Sequence, residues 1–274
     1  MPFSQRWCRR LLRVAVVLAA VVAVSAVATP VTTPRLLDDP TGADGCSDVV
    51  FYGVRGSGQD ADDRAAGFGR EAASVAAHAT ERLREAGRSV TYRAADYPAA
   101  RGGGDYDASV DAGVATTRRD LTDLAEGCPG SDVVLVAFSQ GAQVAHLALG
   151  AVSDAVAGSL RGVVLVSDPL RDVADPAVEL PGWGGSRDSG GFARSPATAR
   201  LDPDLAGRVL SACYDSDPVC HRGGVPVLGM LTHAFRYEWG PAEDLMAAWV
   251  LERLVGQVVD QAHRESRQAR AVLT

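Results

Sequence analysis

The sequence predicts an α/β fold in which a central parallel sheet carries helices on both faces, and three observations carry this prediction. Several short segments are continuously apolar, the pattern of strands buried on both faces. Segments with apolar residues at helical spacing alternate with these runs. The chain has 274 residues, of which 47% are hydrophobic and 22% are charged, as in a folded globular protein.

The first half alternates between strand and helix. Residues 48–54 form a predicted strand that runs into Arg55-Gly56-Ser57-Gly58, and residues 89–95 form a second strand candidate. Between them lies a predicted helix that ends at Gly87 and has an apolar face made of Phe68, Ala72, Val75, Ala76, Ala79 and Leu83. A second helical stripe follows, made of Val110, Val114, Thr117, Leu121 and Leu124.

The second half continues the alternation. Residues 132–138 and 162–167 are predicted strands, and a helix is predicted over 140–149. Pro241 suits the first turn of a last helix, and Glu243 and Asp244 suit its dipole. The apolar face of that helix is assigned to Leu245, Trp249, Leu254 and Val258. Residues 181–199 are predicted to be a long surface loop.

Residues 1–28 have the pattern of a secretory signal peptide. Four Arg precede an apolar run over 14–28, and Ala26-Val27-Ala28 offers the small residues that a signal peptidase needs. The run is shorter than the roughly 20 residues of a spanning helix. We therefore expect a secreted, extracellular protein without an integral membrane anchor after cleavage; an uncleaved anchor and twin-arginine export through Arg9-Arg10 are the alternatives.

The remaining chain is predicted to form an N-terminal extension over 29–45, one α/β domain over 46–260 and a polar tail over 261–274. No internal repeat or dividing linker is visible in the sequence. We expect the protein to be a monomer.

The charge excludes several classes of function. All 27 basic residues are Arg, and the net charge is −7. Cleavage after residue 28 leaves 23 Arg against 34 acidic residues, a net charge of −11. This balance argues against a nucleic-acid partner. Without Lys, neither a Schiff-base mechanism nor a Walker-type phosphate loop is available.

Four cysteines remain after the leader: Cys46, Cys128, Cys213 and Cys220. In an oxidising compartment an even number predicts two disulfides, with three alternative pairings. A local link between Cys213 and Cys220 is the economical choice and leaves Cys46 for Cys128. A zinc site is the rival interpretation, but the spacing differs from a zinc knuckle and no paired His follows. We predict no metal and no cofactor.

The chemistry concentrates at Ala137-Phe138-Ser139-Gln140-Gly141, where a predicted strand runs into Ser139 and a helix begins at once. That is the context of a nucleophile elbow in an α/β-hydrolase fold, although Ala137 stands where the general pattern has Gly. The alternative is a Ser that only serves the turn. Asp217 and His233 follow in the order acid, then His, on loops expected after late strands. Asp168 is the alternative acid and His221 the alternative base.

Four segments of the chain resemble the cutinase family. Residues 48–57 resemble its first strand and Arg-Gly-Ser/Thr turn, and residues 138–141 resemble its Tyr-Ser-Gln-Gly elbow. Residues 213–220 resemble its Cys-x-x-Gly-Asp-x-x-Cys acid loop, and His233 with Tyr237 resembles its His-containing segment. The resemblance spans residues 46–260 and implies a cutinase-like α/β-hydrolase fold.

The resemblance also implies roles for individual residues. Ser139 is expected to be the nucleophile, His233 the base and Asp217 the acid. The backbone N–H groups of Ser57 and Gln140 are expected to form the oxyanion hole, with the Ser57 hydroxyl as an extra donor. The implied disulfides are Cys46–Cys128, which ties the start of the first strand to the helix before the Ser strand, and Cys213–Cys220, which holds the acid loop.

The sequence departs from the family pattern at Ala137, at Ser216 before the acid, at Gly58-Gln59 and over 182–200. The actinobacterial cutinase-like group, which acts on diverse lipid esters, is the nearer resemblance. We therefore expect a secreted serine esterase acting on lipid-like or polyester substrates. A phospholipase or thioesterase with the same triad and a non-catalytic lipid- or envelope-binding protein are the alternatives.

Overall fold

Six parallel strands form one sheet in a computed structural model that describes residues 34–180, 189–195, 200–223, 226–237 and 241–255. In chain order the strands are β1 (Val49–Val54), β2 (Val90–Ala94), β3 (Asp132–Phe138), β4 (Leu160–Val166), β5 (Val178–Glu179) and β6 (Val209–Ala212). Their spatial order is β2-β1-β3-β4-β6-β5, and every pair is parallel.

The helices connect these strands and continue past the last one. They are α1 (Arg70–Glu85), α2 (Asp105–Gly127), α3 (Gln140–Ala148), α4 (Asp154–Ser159), α5 (Pro226–Leu231) and α6 (242–255). Gly87, with a φ of 76°, follows the end of α1, where the sequence predicts the stop. Short turns of 3₁₀ helix lie at Asp63–Ala65 and Pro203–Leu205.

The sheet has an apolar core on each face, as the continuous apolar strands predict. Val49 and Phe51 of β1 lie in one core, and Val50 and Tyr52 lie in the other, because successive side chains of a strand point to opposite faces. Helices α1 and α6 cover the first core, and α2, α3 and α4 cover the second. The predicted α/β fold with helices on both faces is confirmed.

Some elements differ from the sequence prediction. The short elements α4, α5, β5 and β6 are missing from it, and the strand predicted over 162–167 begins at Leu160. Leu245 does not belong to the buried face of α6, since it is 40% exposed. The buried apolar residues of this helix are Ala242, Met246, Ala247, Trp249, Val250 and Leu254. Val258, most of the loop predicted over 181–199, the leader and the C-terminal tail lie outside the described residues.

Residues 34–45 pack against the sheet and α1. The backbone N–H of Asp39 donates to the Val90 carbonyl (2.9 Å), and its carboxylate pairs with Arg84 (2.9 Å). Within the described part of the chain, no helix is long and apolar enough to cross a membrane.

The topology brings several loops to one edge of the sheet. The chain runs outward from β1 to β2 and then returns to β3 on the other side of β1, which creates a switch point at the carboxyl ends of β1 and β3. Ligands of open α/β sheets bind in the crevice at such a point. Ser57 follows β1 there and Ser139 follows β3, while Ser167 follows β4 and Cys213 follows β6.

Candidate active site

Ser139 occupies a sharp turn between β3 and α3. Its φ of 54° and ψ of −118° are unusual for a residue with a side chain. Gly141 makes the turn sterically feasible, because a Cβ atom at this position would lie 2.1 Å from the Val54 carbonyl oxygen. The backbone at Ser139 therefore makes the sharp strand-to-helix turn that a nucleophile elbow needs, and Ala137, fully buried in β3, is accommodated in it.

The side chains of Ser139, His233 and Asp217 form a chain of polar contacts. The Ser139 Oγ lies 3.0 Å from His233 Nε2, and His233 Nδ1 lies 3.1 Å from Asp217 Oδ2. When the imidazole carries its proton on Nδ1, the Nδ1–H group donates to the carboxylate and Nε2 is free to accept from the hydroxyl. This is the geometry in which a hydroxyl can lose its proton to a base.

His233 lies in a π-helical turn over Thr232–Arg236, which continues α5. The expectation that its loop would follow a strand is wrong, because a short helix delivers it to the sheet edge instead. Its ring stacks on Phe138, with centroids 5.1 Å apart and planes inclined by 24°. Phe138 directly precedes Ser139, so this stacking contact places the imidazole beside the elbow.

Asp217 is fully buried in the loop that the Cys213–Cys220 disulfide closes. Burial alone raises the pKa of its carboxyl, but hydrogen bonds from His233, Ser167 and the Val219 N–H outweigh it, so the pKa is below the usual value. The Val219 N–H donates to Oδ1 (2.9 Å), while the hydroxyls of Tyr237 (2.8 Å) and Ser167 (2.5 Å) donate to Oδ2. The carboxylate is thus charged and fixed in orientation.

Ser57 and Gln140 lie on adjacent strand ends, as an oxyanion hole requires. Val54 of β1 pairs with Ala137 of β3, and each candidate donor lies three residues beyond its own strand residue. The Gln140 N–H belongs to the first turn of α3, where the backbone amides face outward and favour negative charge. The Gln140 side chain is held by the Ala100 carbonyl (3.0 Å).

The turn that carries Ser57 is braced by the buried Arg55. Its guanidinium donates to the carbonyls of Gln59 (3.1 Å), Ala95 (3.1 Å) and Tyr97. Gln59, where the sequence departs from the family pattern, accepts the Gly56 N–H on its side-chain oxygen (2.7 Å). These contacts set the position of the turn before any ligand arrives.

The alternative acid and base have other partners. Asp168 Oδ2 lies 2.6 Å from Nδ1 of His146, a buried residue of α3, and Asp168 Oδ1 accepts the Leu170 N–H (2.8 Å). His221 Nδ1 lies 2.7 Å from the carbonyl oxygen of Asp215 within the acid loop. Sequence reasoning missed two hydroxyl groups that contact Asp217, those of Ser167 and Tyr237.

The Cys46–Cys128 disulfide lies away from these side chains. Cys46 precedes β1 and is bonded to Cys128, which caps the end of α2. Both links follow the pairing that the family resemblance implies. Among the residues that the structure describes, no cluster of three or more His, Cys, Asp or Glu side chains is arranged to hold a metal ion.

Known proteins resemble this chain in sequence. The family model for cutinase matches residues 45–254. The carboxylesterase Culp1 of Mycobacterium tuberculosis is 28% identical over 198 residues, which cover 70% of this chain and 80% of that protein. Cutinase CUT1 of Coprinopsis cinerea is 36% identical over 158 residues, which cover 56% of this chain and 71% of the cutinase.

Solved structures share the fold. An acetylxylan esterase superposes with a TM-score of 0.60 at 22% identity, covering 76% of this chain and 99% of the esterase. A cutinase-like protein from Cryptococcus sp. gives a TM-score of 0.60 at 19% identity, covering 78% of this chain and 98% of that protein. These structures show the fold, and the family match over residues 45–254 shows that the chain belongs to the cutinase family of serine carboxylic ester hydrolases.

Proposed function

We propose that the protein is a secreted esterase that hydrolyses lipid-like or polyester substrates through Ser139, His233 and Asp217. The observation that carries the proposal is the continuous contact from the Ser139 hydroxyl through the imidazole to the buried carboxylate, at 3.0 Å and 3.1 Å. A hydroxyl, a base and an orienting acid in this order constitute the machinery of acyl transfer.

In the first half-reaction, Ser139 Oγ attacks the ester carbonyl carbon while His233 Nε2 takes the hydroxyl proton. The carbonyl oxygen becomes an oxyanion, and Asp217 stabilises the imidazolium without taking its proton. The intermediate collapses when Nε2 returns that proton to the oxygen of the departing alcohol, which leaves an acyl group on Ser139.

In the second half-reaction, water replaces the alcohol. His233 Nε2 takes a proton from the water molecule as its oxygen attacks the acyl carbon. The second tetrahedral intermediate expels Ser139 Oγ, which recovers its proton from Nε2. The products are the carboxylic acid and the free enzyme, so no cofactor enters the balance.

The backbone N–H groups of Ser57 and Gln140 are the proposed oxyanion donors. Fixed donors aimed at a developing charge are worth about 3 kcal/mol each in acyl transfer. The bracing of the Ser57 turn by Arg55 supports this role, because a donor that is already positioned needs no reorganisation during the reaction.

Exposed apolar side chains on the segments around His233 support a lipid-like or polyester substrate. Leu228 is 65% exposed, and Phe192, whose backbone N–H donates to Val219 of the acid loop, is 55% exposed. The other members of this apolar rim are Met230, Leu231 and Phe235, which are 41–46% exposed. Contiguous apolar patches mark interaction sites, and we propose that these side chains form one. It supports the acyl chain or a polymer surface as its occupant.

Two features support secretion. Both disulfides are of the kind that persists in an oxidising compartment. The charged and apolar pattern of residues 6–28 is that of a cleavable leader. Mass analysis of protein recovered from the culture medium is expected to find a new N-terminus at residue 29 and no free thiol.

A fluorophosphonate probe tests the nucleophile. We expect the wild type to be labelled and to hydrolyse a chromogenic ester with a burst, while Ser139→Ala loses both activities and remains folded. Ser74→Ala, on α1, is the matched control and should retain both. Labelling of Ser139→Ala at the wild-type rate would overturn the proposal, and a folded wild type without labelling or turnover would instead favour a lipid-binding protein.

A substrate panel separates the enzymatic alternatives. We expect turnover of long-chain carboxylic esters or polyester film to exceed that of acetyl esters, phospholipids and thioesters, because the rim is apolar. Leu228→Ser should raise KM for a long-chain ester more than for an acetyl ester. Equal effects on both esters would contradict the assigned role of the rim.

A further inference from the structure

Ser167 is held in an unusual backbone conformation at the end of β4. It has a φ of 53° although it is not a glycine, and its side chain is fully buried. Its N–H donates to the Ala212 carbonyl of β6 (2.8 Å), which fixes the backbone there. A side chain in the left-handed region costs free energy, and such residues cluster at functional sites. The contacts of its hydroxyl indicate the role of this residue.

The hydroxyl lies between the acid and the base. Ser167 Oγ is 2.5 Å from Asp217 Oδ2 and 2.9 Å from His233 Nδ1, while the acid and base are 3.1 Å apart. The three atoms therefore form a closed triangle, and each one is within hydrogen-bond distance of the other two.

The chemistry of the three groups fixes where the protons go. An ionised carboxylate only accepts, so the Ser167 O–H must donate to Asp217. The lone pairs of Ser167 Oγ then face the imidazole and accept from Nδ1–H. That proton is shared between the carboxylate and the hydroxyl, which leaves Nε2 unprotonated towards Ser139 Oγ, 3.0 Å away.

We infer that Ser167 is a positioning residue, a second acceptor that holds the His233 imidazole in the reactive tautomer and orientation together with Asp217. The inference rests on the proposed function of Ser139, His233 and Asp217. When Asp217 is removed, the Ser167 hydroxyl becomes the main remaining acceptor for the Nδ1–H group of His233. Each acceptor therefore partly compensates for loss of the other.

Two variants separate the hydroxyl from the backbone. Ser167→Ala removes the hydroxyl and keeps the side-chain strain, whereas Ser167→Gly removes both. Glycine tolerates the positive φ, so we expect Ser167→Gly to unfold about 2–4 °C above Ser167→Ala. Both should lose kcat by about the same factor, roughly threefold, with KM unchanged. If Ser167→Gly instead has a higher kcat than Ser167→Ala, in line with its higher melting temperature, the role of Ser167 is structural and the inference is wrong.

The Asp217→Ala background gives the sharper test. In that background Ser167→Ala should cost roughly tenfold or more in the rate of fluorophosphonate labelling, against about threefold in the wild type, because the main remaining acceptor is lost. Circular dichroism checks that every variant is folded. Equal factors in the two backgrounds, or no effect in either, would overturn the inference.

Proton NMR reads the same contact without substrate. The Nδ1 proton of His233 should give a downfield resonance, identified by its disappearance in His233→Ala, and this resonance should shift in both Ser167 variants. An unchanged resonance would contradict the shared proton. A wild type without ester turnover would contradict the proposed function, and this result does not depend on the NMR signal. The two failures are therefore distinguishable.

Discussion

The Tyr237 hydroxyl donates to the Asp217 carboxylate across 2.8 Å, and both side chains are fully buried. Tyr237 directly follows the turn that carries His233, so one short segment supplies both the proposed base and a donor to the proposed acid. The burial of Tyr237, beside the charge of Asp217, raises the pKa of its phenol far above the usual value. The phenol therefore stays protonated at neutral pH and acts as a hydrogen-bond donor to the carboxylate.

Tyr237→Phe should remove one hydrogen-bond donor from the Asp217 carboxylate. It should preserve the ring contact with Phe138, since the ring centroids are 6.0 Å apart. We expect a several-fold fall in kcat and a loss of about 1–2 kcal/mol in the free energy of unfolding. The second effect arises because the buried carboxylate loses a donor and the Tyr214 N–H loses its acceptor (3.1 Å). Steady-state kinetics and urea denaturation measure both quantities.

Tyr92→Phe is the matched control for this prediction, since the Tyr92 hydroxyl bonds to Thr80 (2.7 Å) on α1 and not to the site. It should lose stability without losing kcat. Equal kinetic effects in the two variants would show that the Tyr237 hydroxyl does not act through Asp217.

Stability should depend on pH through Asp217. Its pKa is lowered in the folded protein, because the hydrogen bonds to its carboxylate outweigh the effect of burial. The unfolded chain binds this proton near pH 3.9, so the stabilisation is complete above that pH and is lost as the pH falls through the lower, folded pKa. We expect the stability difference between wild type and Asp217→Asn to be largest at neutral pH and to shrink towards pH 2, as measured by denaturant unfolding. A difference that is constant across this range would contradict the prediction.

The two disulfides should act on different properties. Cys46 and Cys128 are 82 residues apart in sequence, and the chain-entropy model assigns such a link about 4–5 kcal/mol. Cys213 and Cys220 are only seven apart, which corresponds to about 2–2.5 kcal/mol. Replacing the first pair by Ser should mainly lower the melting temperature, whereas replacing the second should mainly lower kcat by releasing the Asp217 loop. The reverse ranking would remove the proposed role of the short loop.

The buried group of His146, Asp168 and Asp175 should matter for folding rather than for the reaction. His146 Nδ1 lies 2.6 Å from Asp168 and Nε2 lies 3.6 Å from Asp175, so an imidazole on the helix that follows Ser139 is enclosed by two carboxylates. Asp168→Asn should cost about 3 kcal/mol of stability, the scale for breaking a buried pair, and leave kcat within a few-fold. Asp217→Asn should instead lower kcat by about 10⁴. A larger kinetic loss for Asp168→Asn would reverse the choice of acid.

Local patterns predicted the parts of this molecule that depend on local physics. The strand leading into Ser139 and the helix leaving it are visible because apolar runs and helical spacing are properties of neighbouring residues. The Cys loop around Asp217 is visible for the same reason. Strands β5 and β6, with two and four residues, are too short to carry a periodic signal, and their pairing with β4 or with each other is a long-range event.

Ser167 shows why the remainder of the site was missed. In the sequence it precedes Asp168-Pro169, where the carboxylate is the more obvious candidate for a chemical role. Its contact with Asp217 depends on the register that pairs Val166 with Ala212 and on the loop that folds back after β6. A sequence pattern cannot predict this contact, because Ser167 and Asp217 are 50 residues apart.

The choice of base is tested by two histidines that both follow the acid. His233 Nε2 faces the Ser139 hydroxyl at 3.0 Å, whereas His221 Nδ1 is bound to the Asp215 carbonyl at 2.7 Å. His233→Ala should therefore reduce kcat by at least about a thousandfold, since the hydroxyl loses its proton acceptor. His221→Ala should keep most of the activity and lose only the stability that its bond to the acid loop provides. Both variants should be checked for folding by circular dichroism and compared at saturating substrate. If the folded His221→Ala protein proves inactive while His233→Ala turns over, the base has been assigned to the wrong imidazole.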